Sequence, residues 1–258
     1  MGSSSNYVVT NNIVSSTWHS GFRLPAYKCG QSPIHTGNVA HSIAGLGVIV
    51  YQGAGACSEF SDFKGYKTRL ATVQMGGGIG SATNKVRNIV TIDSYYGLMA
   101  LGSSGGKVEV EDSIFYGGKD MQNLDCPDKS SCSACESRRG LMIPTFGKHN
   151  TIMNLAPKHI PKMHADGGSW GGSSLFSNLK FIGWDSDLNH CGAKQRAIAT
   201  NFQHSDYHPL ANFRFITFED SDESALYGFD SPSPGWANLS DCGTFTCTGL
   251  YNVLIEMY

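Results

Sequence analysis

A short phrase recurs along the chain and constrains its fold more than any other feature. An apolar residue stands two positions before an Asn, and large apolar and polar side chains then alternate. The clearest copies are 86–92, 176–182 and 210–216, with a looser copy at 110–116. Alternation with a period of two is typical of a strand that buries one face. The spacing is 24 residues from Asn88 to Asp112 and 34 from Asn178 to Asn212, which indicates stacked supersecondary units.

The repeat predicts an all-β fold, a right-handed parallel β-helix (solenoid) with loop insertions and disulfides. Each unit has one strand and Gly-rich connections, with no helical pattern between the strands. The Asn of each phrase is expected at the bend into a strand, where its amide bonds backbone groups or its counterpart on the next coil. A β-sandwich is the alternative, but its turns recur every ~8–12 residues, and the turn signals of this chain do not.

The repeats also predict the domain organisation. Residues 1–19 are expected to be an N-terminal segment or a remnant of expression, because residues 1–5 are polar and no apolar signal-peptide core follows them. Residues 20–258 are expected to form one β-helix domain with a Cys-rich loop insertion near 118–170. Residues 251–258 read as an interrupted strand, so we expect the chain to be part of a longer protein.

The composition narrows the class of partner. Charged residues make up 16% of the chain, against about 25% in an average domain, and the net charge is −2. A nucleic-acid-binding protein needs a basic face, so nucleic acid is not expected as a partner. The chain has no run of 18 apolar residues, so no membrane span is expected.

The cysteine count is even, which is consistent with disulfides in a secreted or cell-surface protein. The pairs Cys29/Cys57 and Cys242/Cys247 are close enough in sequence to close local loops. The remaining four cysteines are able to form two bridges within a polar insertion: Cys126, Cys132, Cys135 and Cys191. Zinc at Cys132 and Cys135 is the alternative, but a zinc signature needs a second close pair of ligands. We therefore expect no metal. Asn238 begins an Asn-Leu-Ser triplet and is the expected glycan acceptor.

Several longer phrases resemble the fibrocystin (polyductin) family. Segment 35–43 reads His-Thr-Gly-Asn-Val-Ala-His-Ser-Ile, and segment 139–146 reads Arg-Gly-Leu-Met-Ile-Pro-Thr-Phe. Residues 154–157, His208-Pro209 and the Asn-Leu-Ser-Asp-Cys phrase at 238–242, with Cys247, follow in the same order as in that family. Together these segments cover roughly residues 20–258.

The resemblance implies both a fold and a function. It implies that the chain is the C-terminal part of a right-handed parallel β-helix in a large extracellular or membrane-anchored protein. The expected function is then a structural or adhesive module that recognises glycan or protein partners or assembles with itself, without a cofactor. A related branch of cell-surface proteins degrades hyaluronan, so a polysaccharide-degrading β-helix enzyme is the alternative.

An enzyme would need carboxylates and a basic group on one wall of the solenoid. The best cluster on the sequence lies around one predicted coil, with Asp185, Asp187, His190 and Arg196 as candidate catalytic residues, and His164 and Asp166 nearby. Asp185 and Asp187 share a face if they lie on a strand. Asp and Ser are also common turn formers, and this favours a non-enzymatic interpretation.

Histidines and tryptophans supply the remaining candidates. His35 and His41 flank a Gly-Asn bend, where a structural role is expected before a ligand role. His204, Asp206 and His208 alternate on one strand face, but three ligands in one short segment seldom complete a metal site. Trp170, Trp184 and Trp236 lie beside Gly, Ser or Asp and are the candidate ligand-binding aromatics.

The ends of a solenoid expose unpaired backbone. An uncapped end is able to pair with a neighbouring molecule, so homo-oligomers or filaments through the ends are expected as a further kind of association.

Overall fold

The computed structural model describes residues 8–51, 56–75, 82–100, 107–117, 138–143, 174–185, 195–200, 211–222, 227–228 and 253–256. Within these ranges the structure is all-β and contains no helix. In chain order the strands are β1 (Ile13–Ser15), β2 (Ser20–Pro25), β3 (Tyr27–Lys28), β4 (Asn38–Ile43), β5 (Leu46–Tyr51), β6 (Cys57–Thr68), β7 (Ala71–Met75), β8 (Thr83–Ile92), β9 (Tyr96–Ala100), β10 (Lys107–Tyr116), β11 (Arg139–Ile143), β12 (Ser174–Ile182), β13 (Arg196–Thr200), β14 (Ala211–Glu219), β15 (Tyr227–Gly228) and β16 (Val253–Glu256).

From β4 onward the strands alternate between two sheets. The first sheet has the order β1-β4-β6-β8-β10-β12-β14-β16, and the second has the order β15-β13-β11-β9-β7-β5-β2. All pairings are parallel except that of β3, which lies antiparallel to β6. This architecture is compatible with the predicted parallel β-helix. It excludes the β-sandwich alternative, whose sheets are antiparallel.

The recurring phrase marks neighbouring strands of the first sheet, as predicted. Its copies lie on β8, β10, β12 and β14, and Val86, Val110, Phe176 and Phe213 stand opposite one another in register. The predicted alignment of the last copy was wrong by three residues, because Asn178 lies opposite Phe215 and not Asn212. The observed register stacks Phe176 on Phe213, with ring centroids 4.9 Å apart. It also stacks Phe181 on Phe218 at 5.3 Å.

Two columns of left-handed residues bend the chain along the first sheet. Column one contains Asn11, Gly37, Asp62, Asn88, Asp112, Asn178 and Phe215, all with positive φ. Column two contains Ser16, Ser42, Lys67, Asp93, Gly183 and Asp220, each five residues after a member of column one. Left-handed backbone is tolerated best by Gly, Asn and Asp. The Asn of the recurring phrase therefore lies at a bend, as predicted for Asn88 and Asn178.

Side chains of column one bond along the column. The Asn178 amide donates to Asp112 Oδ1 at 2.6 Å, and the Asn88 amide donates to Asp62 Oδ1. These contacts join residues 66 and 26 positions apart in the sequence. The column therefore ties successive coils together on their exposed corner.

A serine follows three of the corner residues and completes the hydrogen bonding there. The Ser113 hydroxyl donates to Glu111 O at 2.7 Å and accepts the Ile89 N–H of the preceding coil at 3.3 Å. Ser94 and Ser221 make the same two contacts on their own coils. An Asp-Ser pair is therefore the local signature of a bend in this chain, because buried backbone groups need a partner.

The main core lies between the sheets and is filled mostly by aliphatic and aromatic side chains. Phe60, Phe63, Phe115, Phe176 and Phe181 are all at most 1% exposed. A second buried cluster includes Ile49, Tyr96, Met99 and Met142. Side chains alternate along a strand, so Met99 and Met142 lie on the opposite face of the second sheet from the main core. Both faces of the second sheet are therefore buried at these positions.

The predicted domain boundary falls inside the fold. Residues 13–15 form β1, which pairs in parallel with β4 through Ile13↔Val39 and Ser15↔His41. The sheet therefore begins before residue 20, within the segment that was expected to lie outside the domain.

Phe215 is the residue of column one whose side chain suits the left-handed conformation least. The six other described members of the column are Asn, Asp or Gly. Phe215→Asn is expected to raise the free energy of unfolding by about 1 kcal/mol, measured as a higher midpoint in urea. Phe215→Leu is the control, because it keeps an apolar side chain with the same backbone penalty. A midpoint for the Asn variant below that of the Leu variant contradicts the interpretation.

Candidate functional site

The bend at column one gives the first sheet two different outer faces. Strand segments before the bend carry charged residues outward, and we call this the charged face: Glu59, Lys85, Arg87, Lys107, Glu109 and Glu111. Segments after the bend carry mostly apolar residues outward, and we call this the apolar face: Val39, His41, Tyr66, Val90, Ile92, Ile114, Tyr116 and Ile182.

Ion pairs cover the charged face, and those of Lys85 join two coils. Lys85 Nζ lies 2.8 Å from Glu111 Oε2 and 3.7 Å from Glu109 Oε2, and Lys107 Nζ lies 2.7 Å from Glu109 Oε1. Burial disfavours the Lys85 ammonium, but the hydrogen bond and charge of Glu111, with the charges of Glu109 and Glu59, outweigh burial and raise its pKa. Exposed pairs of this kind contribute about 0–1 kcal/mol each, so the ion pairs of the charged face add little to stability.

A buried carboxylate anchors one end of the charged face. Glu59 is 2% exposed, and its carboxylate accepts hydrogen bonds from Arg87 Nε and, at 3.3 Å, from Gly30 N. The Tyr27 hydroxyl lies 2.6 Å from Ser61 Oγ and 3.4 Å from Glu59 Oε1. Burial is the largest cause that raises the pKa of Tyr27, and the charge of Glu59 adds to it.

The disulfide Cys29–Cys57 closes the same cluster. It was predicted from the sequence, and it joins residues 28 positions apart with a Cα–Cα distance of 5.5 Å. Together with Glu59 it holds β3 and the following turn across the first sheet. Both oxygens of Glu59 are engaged in this clamp, so its chemistry is that of a structural anchor. Sequence reasoning missed Glu59, although a Glu at an outward strand position two residues after a disulfide Cys was an available signal.

The apolar face runs along the solenoid in two columns. His41, Tyr66, Ile92, Tyr116 and Ile182 stand opposite one another in successive coils. The second column, one pleat away, contains Val39, Lys64, Val90, Ile114 and Lys180. Solvent-facing strand positions are usually polar, so these partly exposed apolar side chains, interrupted by Lys64 and Lys180, indicate a contact surface.

Two aromatic rings of this face stack on each other. The rings of His41 and Tyr66 are parallel within 1°, with centroids 4.6 Å apart. Because neighbouring coils supply the two rings, one face of each is covered by the other. The strip therefore presents ring edges and aliphatic groups outward, an arrangement suited to packing against another apolar surface.

The structure gives Trp184 a different place from the one predicted. It was a candidate ligand-binding aromatic, but it is 2% exposed, and its Nε1 donates to Phe115 O at 3.0 Å. The indole packs against the main core, because Gly140 leaves room beside its ring. Trp170 and Trp236 lie outside the described residues.

The predicted catalytic residues are only partly described. Asp185 follows Trp184 at the end of β12, and Arg196 begins β13, where its Nη1 donates to Gln195 O at 3.2 Å. Asp187 and His190 lie outside the described residues, so their grouping stays a prediction. The same holds for Asn238 and for the other six cysteines: Cys126, Cys132, Cys135, Cys191, Cys242 and Cys247.

The two described histidines of the Gly-Asn bend have separate environments. His35 is 1% exposed, and its Nδ1 accepts the Val9 N–H at 3.3 Å. His41 lies on the apolar face, with Nδ1 3.3 Å from Ser42 Oγ. No group of three potential metal-ligating residues occurs within the described part of the chain.

Comparisons of the chain with family models, curated proteins and solved structures find no match. In the part of the chain that the structure describes, no helix is long and apolar enough to cross a membrane.

The Glu59 clamp generates a stability prediction. Glu59→Gln removes a buried charge from Arg87 and is expected to lower the free energy of unfolding by about 1–3 kcal/mol in a urea titration. Glu109→Gln is the matched control on the same face, and it is expected to change stability by less than about 1 kcal/mol because its partners are solvated. Equal losses in the two variants would contradict a special role for Glu59.

His35 generates a pH prediction. Burial lowers the pKa of His35 below its ordinary value near 6.5. The neutral ring is therefore favoured in the folded state, and its stabilisation is complete above pH ~6.5 and lost as the pH falls through the folded-state pKa. The urea midpoint is expected to decrease when the pH is lowered from about 7.5 to about 5, and this decrease is expected to be smaller in His35→Gln.

The matched control for this experiment is His41→Gln, which removes one histidine but leaves the Val9–His35 contact in place. This variant is expected to keep the acid loss of the original chain. An equal acid loss in His35→Gln would show that another group is responsible.

Proposed function

We propose that the chain is an extracellular structural or adhesive module, a right-handed parallel β-helix from a fibrocystin-like cell-surface or surface-coat protein. The observation that carries the proposal is the apolar face, a strip of aliphatic and aromatic side chains on the outside of a parallel sheet. Right-handedness is the rule for crossovers between parallel strands of one sheet.

One feature supports an extracellular location. The Cys29–Cys57 disulfide is of the kind that persists in oxidising compartments. It pins β3 over the first sheet beside the Glu59 cluster, so it has a structural task rather than a catalytic one.

The phrase at 35–43, which carries the resemblance, has a structural role in one coil. Gly37 is left-handed, and a Cβ there would lie 2.2 Å from Asn11 Oδ1. Asn38 is fully buried, and its Oδ1 accepts the Asn12 N–H at 3.1 Å while its Nδ2 donates to Val9 O at 2.7 Å. The Gly-Asn pair therefore forms the corner between the first two coils.

The partner we propose is a protein that presents an apolar surface. His41 and Tyr66 each cover one ring face of the other, which reduces the ring surface that can stack on a sugar. The centre of the strip is aliphatic. It contains Ile92, which is 40% exposed, and the neighbouring Val90 and Ile114. Aliphatic side chains pack well against an apolar protein surface and offer no hydrogen bonds to a sugar.

The test is adhesion of beads coated with the chain to cultured epithelial cells. Tyr66→Lys and Ile92→Lys each place a charge on the apolar face and are expected to reduce bead retention about tenfold, because each removes part of the contact centre. Pretreating the cells with protease is expected to abolish retention, and pretreating them with glycan-degrading enzymes is expected to leave it.

Thr83→Lys is the matched control, because it adds the same charge to the charged face. Retention that is equal in Ile92→Lys and the original chain, or that disappears after glycan removal alone, overturns the proposed protein contact. Shortening of hyaluronan by the chain, abolished by Asp185→Asn, would replace the proposal with the polysaccharide-degrading alternative.

A further inference from the structure

The two lysines of β6 differ from the other cations on the neighbouring strands of the first sheet. On β8, β10 and β12 every Lys and Arg is held in an ion pair: Lys85, Arg87, Lys107 and Lys180. Lys64 and Lys67 of β6 are both exposed, and neither makes an ion pair with any residue that the structure describes. Among the described residues, nothing neutralises these two charges.

The carboxylates of β6 are engaged elsewhere, and this leaves its lysines uncompensated. Glu59 belongs to the buried clamp with Arg87. Asp62 Oδ1 accepts a hydrogen bond from the Asn88 amide, and Asp62 Oδ2 accepts one from the Ser61 hydroxyl at 3.0 Å. The acidic side chains of the strand are therefore committed to holding the fold.

The strand places the two charges on either side of an aromatic ring. Lys64 and Tyr66 are two residues apart on β6, so both lie on its outer surface about 7 Å apart, and Lys67 follows at the bend. Lys64 stands between Val39 and Val90 of the neighbouring coils. Its alkyl stem therefore runs over an apolar surface while its ammonium stays in water. We call Lys64, Tyr66 and Lys67 the β6 patch.

The spacing of the cations favours a protein partner over a linear polyanion. In the outward column of Lys64, the next two coils supply Val90 and Ile114, and the next cation, Lys180, is already paired with Glu219. A linear polyanion presents a row of charges and binds best to a matching row of cations. Two charges among apolar side chains instead match a protein surface on which a few carboxylates surround an apolar contact.

The charges of the β6 patch select an acidic partner. Resting on the proposed adhesive function, we infer that the patch docks a protein segment in which carboxylates flank an apolar residue. The apolar residue packs against Tyr66 and the neighbouring Ile92, and the carboxylates pair with the ammonium groups of Lys64 and Lys67. Charge pairs at the rim of a contact act mainly on specificity and the rate of association, and salt screens them, so the contact is salt-sensitive.

The test is retention of beads coated with the purified, oxidised chain on surfaces coated with synthetic peptides. One peptide carries Glu on both sides of a Leu, and its control carries Gln in place of each Glu. Many weak contacts act together on a bead, so a contact of low affinity is measurable. The original chain is expected to be retained about tenfold better on the acidic peptide, and raising NaCl from about 50 to about 500 mM is expected to remove the difference.

The lysines of the β6 patch are compared with lysines of the charged face. The double variant Lys64→Gln, Lys67→Gln is expected to lose the preference for the acidic peptide. The double variant Lys85→Gln, Lys107→Gln removes the same charge from the charged face and is expected to keep the preference. Charge reversal with Lys64→Glu, Lys67→Glu is expected to transfer retention to a peptide that carries Lys on both sides of the Leu. All variants are checked for the β-sheet circular dichroism of the original chain.

The inference is overturned by equal retention on the acidic and neutral peptides, or by an equal loss in the two Gln double variants. Retention on a hyaluronan surface that equals retention on the acidic peptide overturns it in favour of a polyanion. The peptide surfaces contain no cell component, so their outcome is independent of the cell test. Retention on cells that depends on Ile92 but not on Lys64 and Lys67 would leave the adhesive function standing without an acidic partner. Preference for the acidic peptide without retention on cells would support the β6 patch and overturn the adhesion, so the two proposals fail separately.

Discussion

The structure depends on one constraint, the left-handed bends of the first sheet, which occur as pairs five residues apart in six of the described coils. A strand that bends at both columns wraps its apolar residues around a common interior, and parallel hydrogen bonds then stack each coil on the last. Asn and Asp tolerate the left-handed backbone, and the side chains of Asn88 and Asn178 bond the coil before them. The bends therefore determine the shape of a coil, and some of their side chains join it to the coil before.

The same bends divide the outer surface into regions with different tasks. Before the first bend, alternating charges and the buried Glu59 fasten β3 and its disulfide to the sheet. After the bend, most outward side chains are apolar, with Lys64 and Lys180 among them, and the rings of His41 and Tyr66 are stacked. A chain that used this second surface only for solvation would carry polar residues there, as most half-exposed strands do. The proposed adhesive role follows from this departure.

The repeat was readable from the sequence because period-two alternation and the Asn at the bend are local signals. The alignment of the repeat on β14 could not be read from the sequence. Asn212 and Phe215 both fit the local pattern, and only the stacking of Phe176 on Phe213 decides between them. The predicted Cys29–Cys57 bridge joins two segments that the fold brings together, as their positions indicated. Trp184 was misplaced for a different reason: its Gly and Asp neighbours indicate a turn, but the space beside Gly140 allows the ring to turn inward.

The sequence by itself determined that this chain is a stack of parallel β units with bends at Asn and Asp, since each unit carries its own alternation and its own corner residue. Tertiary structure alone decided which outward residues meet. The Glu59–Arg87 contact, the His41–Tyr66 stack and the apolar strip each join residues of different coils, and the distance along the chain between them carries no local signal. Register between coils is set by the fit of buried side chains across the whole sheet, so surfaces built across coils become visible only when that fit is known.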